Sequence, residues 1–342
     1  MSFNDDLLRV LEIARGREAV SVPSPPDCSK RASVAIIIAF FPVDATFSSP
    51  VTVLTDLSAF RRHVGQDPGL VPHVLFIRRA TRESDRWSSH IALPGGKREP
   101  GETDLEAAVR ESGEEVSLDL RTASIGTGSL SGRVVTSRLG TRTLLVLSPF
   151  LFLWSAVGAV PRTEGQVSEV SACHWVPLES LLRPENATVE SVDVGDRFGM
   201  PRLLARGIGS MTFTGITLRP SSSTYSPPLA PAIRGTESRV VWGLTHAVLL
   251  DLFALFPDPS SHRLPWSFPT FSAPDVRLIL WLLNTRNRAA VRHYTGPDHV
   301  GHALVDFYRL IRPAVAITFG VRVLGLLFTL RYLYGRMRRR AS

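Results

Sequence analysis

The stretch Leu93–Leu118, LPGGKREPGETDLEAAVRESGEEVSL, constrains this chain more than any other. Pro94, Gly95 and Gly96 cannot easily continue a strand or helix, and Pro100 with Gly101 makes a second break. A helix therefore begins at about Thr103, which with Glu106 has the capping-box spacing. Leu105, Ala108 and Val109 give that helix a narrow apolar stripe for packing. Glu111, Glu114 and Glu115 then share one face, where like charges at i, i+3 and i+4 repel. Such a face calls for something positive. Magnesium takes carboxylate oxygens and keeps waters and substrate phosphate oxygens as its other ligands, so glutamates converging at a loop mouth suit it. Glu102 and Arg110 are a different pair, able to brace loop against helix through two hydrogen bonds. A run of glutamates is more often a solvated helix face. Here the fixed register of glutamates, arginine and leading glycine behind a Pro-Gly-Gly turn argues for a site.

These residues resemble the box of the Nudix hydrolases. That box runs glycine, five residues, glutamate, seven residues, Arg-Glu, an apolar residue, any residue, Glu-Glu, any residue, glycine and an apolar residue. Gly96, Glu102, Arg110, Glu111, Glu114, Glu115 and Leu118 stand in register with it, while Ser112 replaces the apolar residue and Ser117 the closing glycine. Gly113 inside the helix costs about 1 kcal/mol relative to alanine. The resemblance implies an α/β chain: the Nudix α/β/α sandwich with a mixed sheet, here with a C-terminal helical extension. It implies Glu111, Glu114, Glu115 and Gly96 as ligands of Mg2+ or Mn2+, and Glu102 with Arg110 as a structural brace. Further on, Glu-Val, a strand and Trp-Val-Pro-Leu again resemble these hydrolases, which implies Glu169 as a downstream carboxylate. Glu111 or Glu169 would take the proton of the attacking water. The implied reaction is hydrolysis of a nucleoside diphosphate linked to another group.

The segment from the strand His73–Ala80 through TRESDRWSSHIALPGG resembles the coenzyme A pyrophosphatase branch of that family. Ser89 takes that motif's glycine position, Leu93 its aromatic one, and Arg86 lies one residue late. Arg79, Arg82 and Arg86 are the candidate substrate residues, because guanidinium pairs bidentately with phosphate oxygens. The plain alternative has Arg82 and Arg86 facing water. The expected substrate is coenzyme A or an acyl derivative, cleaved to phosphopantetheine and adenosine 3′,5′-bisphosphate. Another diphosphate such as ADP-ribose is the alternative within the enzyme class, and a membrane-tethered scaffold of the same fold that turns over little is the alternative outside it.

At 342 residues and 44% hydrophobic the chain can bury a sizeable core. Its net charge of +8 comes almost wholly from arginine, which a genomic base-composition bias explains as readily as a polyanionic partner. The arginines are dispersed without an aromatic-basic motif, so no nucleic-acid partner is expected. Cys28 and Cys173 give neither a disulfide framework nor metal-ligand spacing, and the N-terminus carries no apolar core of signal-peptide length. An intracellular setting is the expectation.

In order, the chain divides at 1–32, a helix near Asn4–Arg15 and a proline-rich linker; 33–256, the hydrolase domain; 257–300, a loop and short helix; and 301–342, a hydrophobic helix with a basic tail. Ser33–Phe41 reads as a strand buried on both faces, Pro42–Pro72 as a surface excursion, and Thr122–Thr136 and Arg142–Ser155 as strands. Arg239–Phe256 reads as one buried helix starting from Val240 and Val241, and the last helix as broken or kinked at Pro313. Pro313–Leu330 has a single charge, Arg322, followed by Tyr332, Tyr334 and the arginines at 336, 338, 339 and 340. That length barely matches a hydrocarbon core of roughly 30 Å, and a central arginine costs about 2.5–3.5 kcal/mol there. Association with a membrane through residues 313–334, spanning or interfacial, is expected. The soluble alternative packs the helix on the domain with Arg322 paired.

Overall fold

The computed structural model describes residues 2–17, 22–81, 88–136, 142–195, 202–225, 239–258, 262–286, 288–289 and 299–340. Helix α1 (Phe3–Gly16) opens under a Ser2–Asp5 capping box. There follow β1 (Arg31–Phe41), β2 (Thr52–Val53), α2 (Leu57–Gln66), β3 (Val71–Arg79), β4 (Ile91–Ala92), β5 (Gly95–Lys97) and α3 (Asp104–Val116). Next come β6 (Ser124–Ser129), β7 (Arg133–Thr136), β8 (Thr143–Trp154), β9 (Ala156–Val157) and β10 (Val170–Pro177). Two 3-10 turns lead to β11 (Ala187–Asp193), α4 (Arg202–Ile208), β12 (Ser210–Thr217), β13 (Ser222–Tyr225) and β14 (Val240–Trp242). Helix α5 (Gly243–Phe253), β15 (Thr270–Phe271), α6 (Pro274–Leu283) and α7 (His299–Arg340) complete the order.

The main sheet runs β13-β10-β3-β1-β8-β6, with β4 on β3, β5 on β1 and β7 on β8. Strand β1 is parallel to β8 and antiparallel to β3, so the sheet is mixed. Alternate residues of β1 feed two cores, as the period of a strand requires. Ile36, Ile38 and Phe40 pack with α1, α2 and α5. Ala35, Ile37, Ala39 and Phe41 pack with Ala108 and Val116 of α3. Helices thus cover both faces, the α/β/α sandwich that the box implied, and burial on both sides is why β1 reads as an unbroken apolar run. A second sheet, β11-β12-β14 with β15 on β12, has its own core: Met211, Phe213 and Phe271 meet Val276 and Leu280 of α6 and Phe307, Ile311 and Ala314 of α7.

Several elements differ from the sequence reading. Residues 42–72 are not simply a surface excursion, since α2 buries Leu57, Phe60 and Val64 in the core that holds α1. In α1 the buried residues include Val10 and Ala14, while Ile13 is 39% exposed. Gly95–Lys97 is a short strand on β1 rather than a break. The buried face of α3 is Ala107, Ala108, Ser112, Glu115 and Val116, and Leu105 faces solvent at 47% exposure. Thr122–Thr136 resolves into β6 and β7. Val240–Trp242 is a strand on β12, and α5 starts only at Gly243, whose φ of +64° turns the chain. Helix α7 runs on through Pro313.

Candidate active site

Helix α3 begins as its sequence demands. The Thr103 hydroxyl accepts from the Glu106 N–H at 3.2 Å, and the Glu106 carboxylate accepts from the Thr103 N–H at 2.7 Å. Asp104 in the first turn then ties the helix to the sheet. It accepts three hydrogen bonds from Arg31 of β1, one from Ser148 of β8 at 2.7 Å and one from Arg98 at 3.1 Å. Burial pulls its carboxyl upward, but the Arg31 and Ser148 hydrogen bonds prevail and hold it below the usual range. This anchor was missed, because its partners lie on two other strands and only Asp104 at a helix N-terminus hinted at it.

Within this frame Arg110 is the hub. Its Nε and Nη2 donate to Glu102 at 3.1 and 2.9 Å, and Nη2 also reaches the Lys97 carbonyl at 3.0 Å. The same guanidinium bridges Glu111 and Glu114, with Nη1 at 3.1 and 2.9 Å from them. Glu102 also accepts from the Glu99 N–H at 2.6 Å, so the loop before α3 is tied to the helix through this carboxylate.

Glu115 sits below, 2% exposed, accepting from the Gly95 N–H at 2.8 Å. Burial pushes it up to about 8 against that hydrogen bond, and the charge of Glu111 adds to the rise. Glu111 is raised too, by burial first, with Arg110 opposing and the charges of Glu114 and Glu169 adding. Glu169 therefore acts electrostatically on both. The loop carrying it is pinned to the end of α3: Glu164 N–H donates to the Val116 carbonyl and Gln166 N–H to the Glu115 carbonyl. Arg79 comes to the same place, since its charge lowers Glu115 and Ala80 N–H bonds the Glu169 carbonyl at 2.7 Å. Arg82 and Arg86 lie outside the described residues. His90 packs its ring 5.1 Å from that of Trp242.

The two glycines are required sterically. A Cβ on Gly95, at φ +146°, would strike the Ser33 carbonyl, and one on Gly96 would stand 2.5 Å from the Glu111 carboxyl. The departures from the box are absorbed locally. Ser112 is fully buried and returns its hydroxyl to the Ala108 carbonyl at 2.8 Å. Ser117 takes the left-handed conformation at φ 58°, and its hydroxyl bonds the Glu164 carbonyl at 3.0 Å.

Among the described residues no three histidine, cysteine, aspartate or glutamate side chains stand close enough to hold a cation as they are. Arg110 draws Glu111 and Glu114 toward itself instead. The donor set nevertheless fits a hard divalent ion. It is all carboxylate oxygen beside a side-chain-free backbone, and it holds the half-buried Glu111 and the buried Glu115, both raised first by desolvation, with the charge of Glu111 adding to the rise of Glu115.

A sequence model of the NUDIX domain matches residues 65–196. An uncharacterized protein of Schizosaccharomyces pombe is 37% identical over 298 residues, 82% of each chain. Among solved structures, an Ap4A hydrolase of C. elegans matches at 14% identity over 44% of this chain and 81% of that one, with a TM-score of 0.27. A Nudix hydrolase of M. smegmatis matches at 20% identity over 44% and 72%, TM-score 0.25. A MutT/nudix family protein of Enterococcus faecalis matches at 14% identity over 62% and 64%, TM-score 0.30. Likenesses of that size carry no activity with them.

Proposed function

This chain belongs to the Nudix hydrolase family, and from that premise we propose that it cleaves the diphosphate of coenzyme A or an acyl-CoA, giving phosphopantetheine and adenosine 3′,5′-bisphosphate. The observation that carries the reading is the half-buried Glu111 beside the buried Glu115, with Gly96 against the Glu111 carboxyl and both carboxyls raised within the field of Glu169. Mg2+ or Mn2+, held by Glu111, Glu114 and Glu115 beside Gly96, would supply neutralisation of the diphosphate charge and a more acidic water. The residues do the rest. Glu111, whose basicity is increased by burial, or Glu169 accepts a proton from the attacking water. The Glu102–Arg110 pair fixes the loop against α3, so that Gly96 can lie against the Glu111 carboxyl. Arg79, close enough for its charge to lower Glu115, pairs phosphate oxygens, and Arg82 and Arg86 follow it in the chain.

Support for coenzyme A over another nucleoside diphosphate comes from the basic segment leading into Pro-Gly-Gly. ADP-ribose is the runner-up. Ser112, Gly113 and Ser117 are the features that favour the scaffold reading, but the hydrogen bonds of both serines leave every charged box residue in place.

The test is hydrolysis of coenzyme A, ADP-ribose and a nucleoside triphosphate side by side with magnesium, by the wild type and Glu115→Gln. The variant keeps the acceptor for Gly95 and is expected to stay folded while losing at least about 100-fold in kcat. Preference for ADP-ribose would keep the site and discard coenzyme A. Equal rates for the two proteins would sink the site assignment, and no metal-dependent cleavage of any substrate would favour the scaffold.

A further inference from the structure

We propose that the outer half of α7 is a monotopic anchor, lying in the headgroup and acyl boundary of a bilayer that carries anionic lipid, and not a helix that crosses it. Three observations lead there, all independent of the reaction. The inner half of the helix is already committed to protein. Phe307, Ile311, Ala314 and Thr318 are at most 2% exposed. At the end of this docked part Arg322 donates to both carboxylate oxygens of Asp275, at 2.7 and 2.8 Å, and to the Gly207 carbonyl at 2.7 Å. A crossing helix needs about 20 apolar residues. Within Asp306–Met337, the one candidate span by length and composition among the described residues, the apolar length could be recruited only by tearing these contacts apart.

What lies beyond is bare. Val323, Leu324, Leu326, Leu327, Phe328 and Leu330 are each at least 54% exposed. At about 100° per residue these positions run round more than half of the helix. A partner helix covers a stripe of about 100° and would leave about half of this belt in water, whereas a helix lying in the acyl boundary buries the whole apolar arc and keeps its other side toward the headgroups. From Val323 to Gly335 the helix is about 20 Å long at 1.5 Å per residue, short of a core of roughly 30 Å.

Charge identifies the lipid. From 307 to 342 the sequence has no acidic residue, while it carries arginine at 331, 336, 338, 339 and 340. Polybasic ends of this kind gain about 1 kcal/mol per arginine at an anionic surface. Tyr332 and Tyr334, 58% and 65% exposed, stand between the apolar belt and the basic end, where amphipathic rings favour the interface.

The experiment is flotation of the full chain with phosphatidylcholine vesicles, with and without phosphatidylserine, followed by alkaline carbonate extraction. The wild type is expected to float with the phosphatidylserine vesicles, to be released by carbonate, and to bind at least tenfold less in Leu324→Asp/Phe328→Asp. Arg336→Glu/Arg339→Glu should lose the preference for phosphatidylserine. All four positions are exposed, so circular dichroism should be unchanged. The proposal is overturned if the wild type fails to float, if the apolar variant floats equally well, or if bound protein resists carbonate, which would make α7 a crossing helix. Concentration-dependent dimers without vesicle binding would overturn it in favour of a second copy on this surface.

Discussion

Ser117 ends α3 in the left-handed region, a conformation that costs roughly 1 kcal/mol or more for a residue with a Cβ and nothing for glycine. Its hydroxyl recovers part of that through the exposed bond to the Glu164 carbonyl. Ser117→Gly is therefore expected to stabilise the protein by about 0.5 kcal/mol, read as a higher urea midpoint at unchanged slope. A lower midpoint would mean that the Glu164 tether outweighs the strain. At this scale the sequence was most informative where chemistry is carried by short spacing. The capping box, the Glu102–Arg110 brace and the glutamate face all come from residues within a few turns of one another. It was silent where a residue's state depends on distant chain. That Glu115 would be sealed from water under Gly95, or that Asp104 would collect Arg31 and Ser148, follows from pairing β5 with β1 and β1 with β8.

Helix α1 shows the same division among elements. Its amphipathic pattern marks a helix, but nothing in the pattern says that the apolar side closes one face of the main sheet, where Leu7, Leu8, Val10 and Leu11 are at most 1% exposed. Leu7→Ala is expected to cost about 3 kcal/mol, like a central core truncation, by denaturant titration of the full chain. A cost below about 1 kcal/mol would show that α1 is an appendage. The insertion before β3 was misread for a related reason: α2 is short and polar on average, and only three of its residues, Leu57, Phe60 and Val64, reach the core. Strand β14 was merged into α5 because Val-Val-Trp fits either period. The register with β12 and the positive φ of Gly243 decide the matter, and neither is visible in composition.

Across the whole molecule, acid stability provides a test of the packed interior. His73 lies fully buried on β3 with its ring stacked 3.8 Å from Phe41, and burial pushes it down to about 4, with His246 in a similar state. Both are neutral when folded and titrate near 6.5 when unfolded. The unfolded chain then binds the extra protons between about 6.5 and 4, so this share of stability is present above that window and is lost as pH falls through it. Each histidine accounts for about 3 kcal/mol. Glu115 acts in the opposite sense over part of the range, so the informative quantity is the difference between wild type and His73→Gln, whose stability should fall about 3 kcal/mol less between pH 7 and 4. Parallel profiles would refute it. The α/β/α plan was legible because one box implies one fold, whereas the second core, joining β12, β15, α6 and α7, was not, since its parts lie far apart in sequence. The pairing at the centre of the main sheet also sets a timetable. Ile36 lies opposite Leu151, so a chain leaving the ribosome carries one edge of the sticky AIIIAFF run unmatched until β8 has been made, although β3 can already pair with the other edge. Long-range parallel pairing of this kind is slow and exposes strand edges. The newborn protein thus passes through an interval in which the chemistry-bearing helix can already pack on β1 while one edge of that strand is still open.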